Sequence, residues 1–495
     1  MSAWDDLVSA ATVGVGGKAL DLGDFDPAIA DTVALIDSTD PVAATFSIAA
    51  LDTVAARAGM PPGPEVEPLP PAPPDGQPIV NERLAGLLGQ ALQSGDELAT
   101  WAIEALASRG LRVAPELIPA LLQRTTRNVR IRPAIAVLVG ERGRWLAQVS
   151  DIPAVLPARD AAAGPDVDAE EVWSFGSSAG RVETLRRWRS EDPNRARQRL
   201  EAVWKSEPGD VRAELLGALE TALSAADEEF LERALDDRKG SVRAVAIRLL
   251  ILLPESALQQ RMTERARGIL VGTRRLGRFH LTLTLPDGVD PATTRDGIDP
   301  TPPRGTGAGT WLAGQILAST PLSLWEDIFD KDPSALVKAV ADDDAAIVLG
   351  AWSAAAIVRR DARWAQALYR WKDAEPDLVG VLVGQAQAEA AVWWLRHRRP
   401  PGHVLPHLPT PWPDDVAAAA LNIALRESIS SSGTPLWHWR GLVDHLRIGL
   451  PVGPGYRWIE QIDAVSDRMN NGWPQLLAPL KWALTVRTAI TEEML

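Results

Sequence analysis

Apolar side chains recur at three- and four-residue spacing along most of this 495-residue chain, the pattern of helices with one buried face. In residues 1–60, Val33, Leu35 and Ile36, then Ile48, Leu51, Val54 and Ala55, fit short amphipathic helices, with Asp26-Pro27 and Asp40-Pro41 as their starts. Residues 81–150 continue the pattern through Leu84, Leu87, Leu88, Leu98, Trp101, Ala102 and Ala105, and Gly110 supplies a C-terminal stop. A further helix carrying Ile135, Val137 and Leu138 is expected to end near Gly140. Residues 310–495 resume as helices dense in Trp and Ala, broken at Pro400-Pro401, 411–413 and 451–455.

The most informative stretch lies between Arg181 and Pro254, where the sequence repeats. Val211-Arg212-Ala213 is followed by Leu215, Leu216 and Leu219, and Val242-Arg243-Ala244 by Ala246, Leu249 and Leu250, a spacing of 242 − 211 = 31 residues. Ser224-Ala225-Ala226-Asp227 reads as a capping box opening a helix with Phe230, Leu231, Ala234 and Leu235 on one face, and Lys239-Gly240 as the turn to the next. Two antiparallel helices per repeat cannot cover their own apolar stripe, so neighbours must stack. The expected fold is mainly α, with a HEAT-like α-solenoid over 181–270. Arg212 and Arg243 are placed to brace adjacent units through acids such as Asp236 and Asp237.

Other segments interrupt this regularity. Met60–Pro78 holds nine prolines, too many for helix or sheet, so 61–80 reads as an extended linker or tether. The Ala-, Pro- and acid-rich stretch 151–180 is a candidate boundary. A basic helix with Arg261, Arg265, Arg267, Arg274 and Arg275 is expected to lead into one strand, Phe279 to Leu285, whose residues alternate strictly. Residues 276–309 are thus a β segment followed by a long loop, 287–309, irregular unless it docks on something.

Composition narrows the function classes. There is no cysteine, which removes disulfides, thiolate nucleophiles, Fe–S clusters and the usual structural zinc sites. The formal charge of −14 opposes binding to phosphate backbones unless a basic patch is segregated. Arg181–Arg199, with seven arginines, is the long basic tract, and nucleic acid is not the expected partner. The first residues lack the basic segment and apolar run of a leader, and no run approaches the roughly 18–20 apolar residues of a membrane span, so a cytoplasmic location is expected.

Candidate chemistry is thin. Gly14-Val15-Gly16-Gly17-Lys18 departs from a phosphate loop because Ala19 stands where a magnesium-binding hydroxyl belongs. His403 and His407 are separated by Val404-Leu405-Pro406, which lacks a zincin glutamate, and His438 and His445 have no third ligand. Asp342-Asp343-Asp344 reads as a solvated turn, and Ser430–Gly433 as a loop. No catalytic residue, metal or cofactor is therefore assigned. Trp393-Trp394 and Trp437-His438-Trp439 cannot all face inward from a helix, so one member of each pair is expected at a unit interface or a binding surface. Arg396, Arg398 and Arg399 form the most compact basic cluster, read as a solvated helix end.

Several stretches carry a family resemblance together: Arg132-Pro133; Leu138-Val139-Gly140-Glu141-Arg142-Gly143-Arg144-Trp145-Leu146-Ala147; Ala225 to Glu232; Leu235 to Arg238 with Val242-Arg243; Arg295-Asp296-Gly297-Ile298; and Trp311-Leu312. The chain resembles, over nearly its whole length, a bacterial family of HEAT-like proteins classed as a domain of unknown function. Members are typically encoded near a MoxR-type AAA+ ATPase, a von Willebrand factor A-domain protein and a SWIM zinc-finger protein. The resemblance implies a part in a chaperone-like or conflict-related assembly and brings no catalytic residues. Gly14–Lys18 stands where the family has a Gly-Thr-x-Arg-like signature. The resulting expectation is a non-catalytic adaptor whose concave face and 287–309 loop bind a protein partner, an AAA+ ATPase or A-domain protein. Candidate contacts are Arg295, Asp296, Gly297, Trp393, Trp394, Trp437 and Trp439; a loop pinned to its own body is the alternative at the first three. An enzyme or ligand site in the Trp-rich half is the alternative function.

Overall fold

The computed structural model describes residues 3–15, 27–58, 69, 71–128, 130–150, 152, 156, 167–275, 277–398, 401–430 and 434–495. Residues 61–68 and 70 of the linker, Gly16–Lys18, Asp26, Arg399 and 431–433 lie outside the described residues, as do 151, 153–155 and 157–166 of the candidate boundary. The chain divides into two compact units, Met1–Pro71 and Ala72–Leu495. In the first, α1 (Ala3–Val13), α2 (Pro27–Val33) and α3 (Pro41–Ala58) bury Leu7, Ile29, Val33 and Ile48 together. Pro41 opens α3 as expected, with the Asp40 carboxylate accepting from the amides of Val42 and Ala43.

Among its described residues the second unit is mainly helical, with one two-stranded hairpin and two isolated bridges, Ile79 with Arg112 and Leu281 with Val340. Its first helices are α4 (Glu82–Gln93), α5 (Asp96–Ala107), α6 (Ile118–Arg124) and α7 (Arg132–Val149). Asn81 caps α4 by accepting from the Leu84 amide, and Gly110 takes a positive φ of 67° just past α5. The helix expected to end near Gly140 instead runs on to Val149, kinked at that glycine (φ 53°). A Cβ there would lie 1.9 Å from Asp75 Oδ2, because Asp75 reaches into the kink and accepts from Arg112 Nε at 2.6 Å and from the Glu141 amide at 3.1 Å. Asp75 thereby straps the end of the proline-rich segment down. Beside it, the Val80 amide donates to the Arg112 carbonyl and the Arg112 amide to the Pro78 carbonyl.

The central helices are α8 (Val167–Phe175), α9 (Ser178–Glu191), α10 (Pro193–Val203), α11 (Gly209–Gly217), α12 (Glu228–Ala234), α13 (Gly240–Leu252) and α14 (Ala257–Ala266). They pack neighbour on neighbour over a shared core that includes Leu185, Leu200, Leu216, Leu231, Val242 and Leu250. The 31-residue period appears in the packing as well as the sequence. Arg181 donates to Glu207 (3.0 Å) and stacks over Trp173; 31 residues on, Arg212 donates to Asp237 (2.9 Å) and stacks over Trp204 (212 − 181 = 204 − 173 = 31). Arg243, the next in phase, makes no ion pair among the described residues: its guanidinium folds back on the carbonyls of Asp237 and Arg238, and helix α14 is followed by a strand where the third acid would be.

The tightest joint is Arg189 with Asp227, both without exposure. Asp227 closes the capping box with Ser224, and Arg189 pairs with it through two bonds of 2.9 and 2.8 Å. The remaining guanidinium donors go to the carbonyls of Thr221, Pro193 and Ala222, with Leu219 sharing one. Five donors in a fixed fork tie α9 to the turn that opens the next helix.

After the strands β1 (Leu270–Arg275) and β2 (Arg278–Leu283) come α15 (Pro291–Arg295), α16 (Ala308–Ser319), α17 (Ser323–Phe329), α18 (Pro333–Ala339), α19 (Ala345–Arg359), α20 (Ala362–Leu368), α21 (Asp377–Val381), α22 (Gly384–His397), α23 (Asp414–Ser428), α24 (Trp437–Gly449), α25 (Trp458–Asp463) and α26 (Trp473–Glu493). Trp325, Trp352 and Trp364 lie fully buried in one contiguous file through α17, α19 and α20. Neighbour packing does not run on to the chain end: Ala483, Val486 and Ile490 of α26 share a core with Leu84, Leu88, Leu98 and Leu106 of α4 and α5. Arg487 sits buried in that seam over the Trp101 ring at 4.8 Å, donating to the Arg447 carbonyl, and burial pushes its guanidinium pKa down to about 10. No helix is long and apolar enough to cross a membrane among the described residues.

Removing one member of a fully buried ion pair leaves the other charge without compensation. Asp227→Ala is expected to lower stability by about 3–5 kcal/mol, read as the shift in the urea unfolding midpoint; Asp210→Ala, at an exposed acid in the same region, is the control and should leave the midpoint within about 0.5 kcal/mol.

Candidate interaction surface

The 287–309 segment is ordered by its own side chains. Asp290 caps α15 by accepting from Thr293, so part of the expected irregular loop is a short helix. Arg295 donates to Asp236 at 2.6 and 2.8 Å and to Glu232, while Asp296, 2% exposed, receives Arg261 at 2.7 and 2.8 Å and Arg265 at 2.6 Å. Glu232 bridges Arg295 and Arg261. Gly297 has φ 98°, and a Cβ there would meet Ile247 Cδ1 at 2.5 Å, so the backbone passes α13 only as glycine. Farther on, the Asp299 carbonyl accepts from the Trp311 indole at 2.8 Å. Arg295, Asp296 and Gly297, candidates for a partner contact, thus form an internal latch: their polar atoms face the body of the chain, and the carboxylate of Asp296 is closed to solvent. Asp296 also ends α15 rather than capping the start of a helix.

Burial alone would push the Asp296 carboxyl up, but the hydrogen bonds and charges of Arg261 and Arg265 outweigh it and hold the carboxyl below the usual carboxylate range. Asp237, under the same opposition from burial and the Arg212 bonds, and Asp236, bonded by Arg295, are shifted in the same direction.

The tryptophan pairs divide as their spacing demands. Trp394 is buried and donates to the Tyr369 carbonyl; Trp393 is half-buried, edge-on to Tyr369 and stacked on His397. Arg398 lies against both rings and donates to the carbonyls of Trp371 and Lys372, so this pair is a packed joint between α20, α21 and α22. Trp439 is buried against Trp473, whereas Trp437 is 73% exposed at the start of α24. Trp437 is the member of the four that faces solvent. Asp344, read from sequence as part of a solvated turn, accepts from the Leu283 amide at 2.8 Å and so belongs to the hairpin's support.

Of the hairpin, the sequence pattern shows the second strand, expected at Phe279–Leu285 and found at Arg278–Leu283, and conceals the first. That pattern puts Arg274 and Arg275 on a helix, but α14 ends at Ala266 and both lie on β1, which pairs antiparallel with β2 in the register Leu270↔Leu283 to Arg275↔Arg278. Gly277, with φ 77°, makes the turn. One face, with Leu270, Leu281 and Phe279, packs on the body; Gly272 lets the Phe279 ring lie across the strand against Phe329, at 5.7 Å between centroids. The other face presents Thr273, Arg275, Arg278 and His280. Arg274, Arg275 and Arg278 make no ion pair among the described residues, and Arg275 stands directly opposite Arg278. The signal is present as Arg274-Arg275-Leu276-Gly277-Arg278, a glycine turn whose preceding strand has too little alternation to stand out.

A model of a family of unknown function, DUF5691, matches residues 6–494. The chain belongs to this family, here with a mainly helical architecture. No curated protein and no solved structure matches the chain.

A carboxyl whose folded pKa is depressed contributes stability that is present above its unfolded value, about 3.9, and lost as pH falls through the folded value. The wild-type unfolding midpoint should therefore drop as pH is lowered from about 5 towards 2, and Asp296→Asn should both lower the midpoint at pH 7 and flatten this acid limb. An acid limb as steep in Asp296→Asn as in the wild type would contradict the latch.

Proposed function

We propose that the chain is a non-catalytic HEAT-like helical scaffold that joins protein partners. The observation that supports this reading is the use made of its charged groups: Arg181, Arg189, Arg212, Arg261, Arg265 and Arg295 each turn onto an acid of another helix or turn, which stiffens the stack and fixes the path of the long segment between β2 and α16. A stiff helical stack presents an extended surface without needing an active site. The family resemblance supports a partner of the MoxR-type AAA+ ATPase or von Willebrand A-domain kind, in a cytoplasmic chaperone-like assembly.

One observation favours a second reading, a ligand site in the Trp-rich half. A hollow of about 640 Å³ is lined by Arg396, Arg426 and Asn422 together with Leu395, Ile423 and Val465, and neither arginine has an ion pair among the described residues. A small organic anion matches that combination of two cations and an apolar lining.

Affinity purification of the tagged full chain from its native host, under ATP and under a non-hydrolysable analogue and followed by mass spectrometry, separates the readings. Nucleotide-dependent recovery of an AAA+ ATPase or A-domain protein is the outcome expected of the scaffold. Recovery of neither, together with saturable calorimetric binding of phenyl phosphate that Arg396→Ala and Arg426→Ala abolish, would replace it with the ligand site.

A further inference from the structure

The two edges of the hairpin are not equivalent. On β2, the Leu281 carbonyl accepts from the Ala341 amide at 3.0 Å and the Leu283 amide donates to Asp344, so that edge is occupied. On β1, the Thr284 amide donates to the Ile269 carbonyl at 2.8 Å, which fixes the phase of the ladder. Antiparallel pairs alternate between bonded and non-bonded, so residues 271, 273 and 275 turn their backbone towards β2, and Gly272 and Arg274 turn theirs outward. That outward row of alternating donors and acceptors makes no backbone hydrogen bond among the described residues, and residues 271–275 are exposed.

We propose that β1 is a docking edge for an extended acidic segment of a partner protein, which joins the hairpin as a third strand. The inference rests on the scaffold reading and names the chemistry of its partner. An added strand supplies the donors and acceptors that the free edge lacks. Its side chains fall alternately beside Arg275 and Thr273 on the solvent face and beside Arg274 on the other, so carboxylates on either face find a guanidinium. Arg278, opposite Arg275, repels that guanidinium towards the open edge, and a carboxylate there relieves a like-charge pair that is destabilising in the free protein.

Charge and hydrogen-bonding type select this occupant over two others. A second copy of the same edge would set Arg274 and Arg275 against themselves. A DNA backbone offers acceptors for the arginines but no donors for the outward carbonyls of Gly272 and Arg274, and DNA or RNA approaches a molecule of net charge −14.

The test uses the purified full chain and a fluorescein-labelled, end-capped peptide alternating Glu with Thr and Val, followed by anisotropy. The expected result is saturable binding that is at least about tenfold weaker for Arg274→Glu/Arg275→Glu, and weaker by a similar factor when alternate peptide amides are N-methylated. The milder Arg274→Ser/Arg275→Ser should weaken binding less, with thermal unfolding no lower than that of the wild type in either variant, since both relieve the Arg275–Arg278 repulsion. The proposal is overturned if the peptide does not bind, if N-methylation has no effect, or if a single-stranded oligonucleotide displaces the peptide from these arginines. It is also overturned if the serine variant merely self-associates while the wild type ignores the peptide, since the arginines would then serve only to keep edges apart. Repeating the affinity purification with the glutamate variant distinguishes the two levels. A partner retained by that variant leaves the scaffold and removes the docking edge, whereas peptide binding with no partner recovered by the wild type leaves the edge and removes the scaffold.

Discussion

A guanidinium taken wholly out of water is costly for every donor left without an acceptor, and Arg189 finds one for each of its donors at the junction of two repeats. Its acceptors come from three separate places, the start of α10, the turn after α11 and the capping carboxylate of Asp227. Each must be in position for the others to be satisfied. The side chain therefore sets the spacing between α9 and α12, and the Arg181–Glu207 and Arg212–Asp237 braces repeat a looser, partly exposed form of the same connection along the stack.

The spacing between α9 and α12 in turn positions the hairpin. Helix α12, held by Asp227, carries Glu232, and Glu232 with Asp236 receives the arginines of α14 and α15. The latch at Asp296 and Gly297 then returns the chain past α13 to α16. Between α14 and α15 the repeat gives way to two strands, where Arg243 lacks the acid that its predecessors use. The basic edge of β1 is thus carried on a braced frame, so a segment docking there meets an ordered strand and gives up only its own conformational freedom. The same kind of brace runs through the arginine-rich tract 181–199, where Arg181, Arg189 and Arg197 are directed to Glu207, Asp227 and Glu201.

Local pattern made much of the architecture legible. The three- and four-residue spacing, the capping box at Ser224–Asp227, the helix start at Asp40-Pro41, the stop at Gly110 and the 31-residue repeat all act within a few turns of chain, and all stand where the residues place them. Gly140 misled for a physical reason: positive φ at glycine marks a helix end when nothing lies beyond, but here Asp75 enters from elsewhere in the sequence and bonds the Glu141 amide across the kink. Arg274 and Arg275 misled because a short exposed strand next to a basic helix has no period of its own.

By itself, then, the sequence determined the mainly helical character, the repeat and the absence of cysteine chemistry, since these depend on residue type and near neighbours. Only the tertiary structure decided which charges are free. Arg295 and Asp296 look like a surface motif in one dimension and are closed off by Arg261, Arg265, Glu232 and Asp236, from 31 to 63 residues away in sequence. Arg274 and Arg275 look like the end of a basic helix, and the strand register instead sets Arg275 opposite Arg278, with no acid partner among the described residues. Whether an ionisable group is spent internally or offered to a partner depends on long-range pairing, which no local pattern encodes.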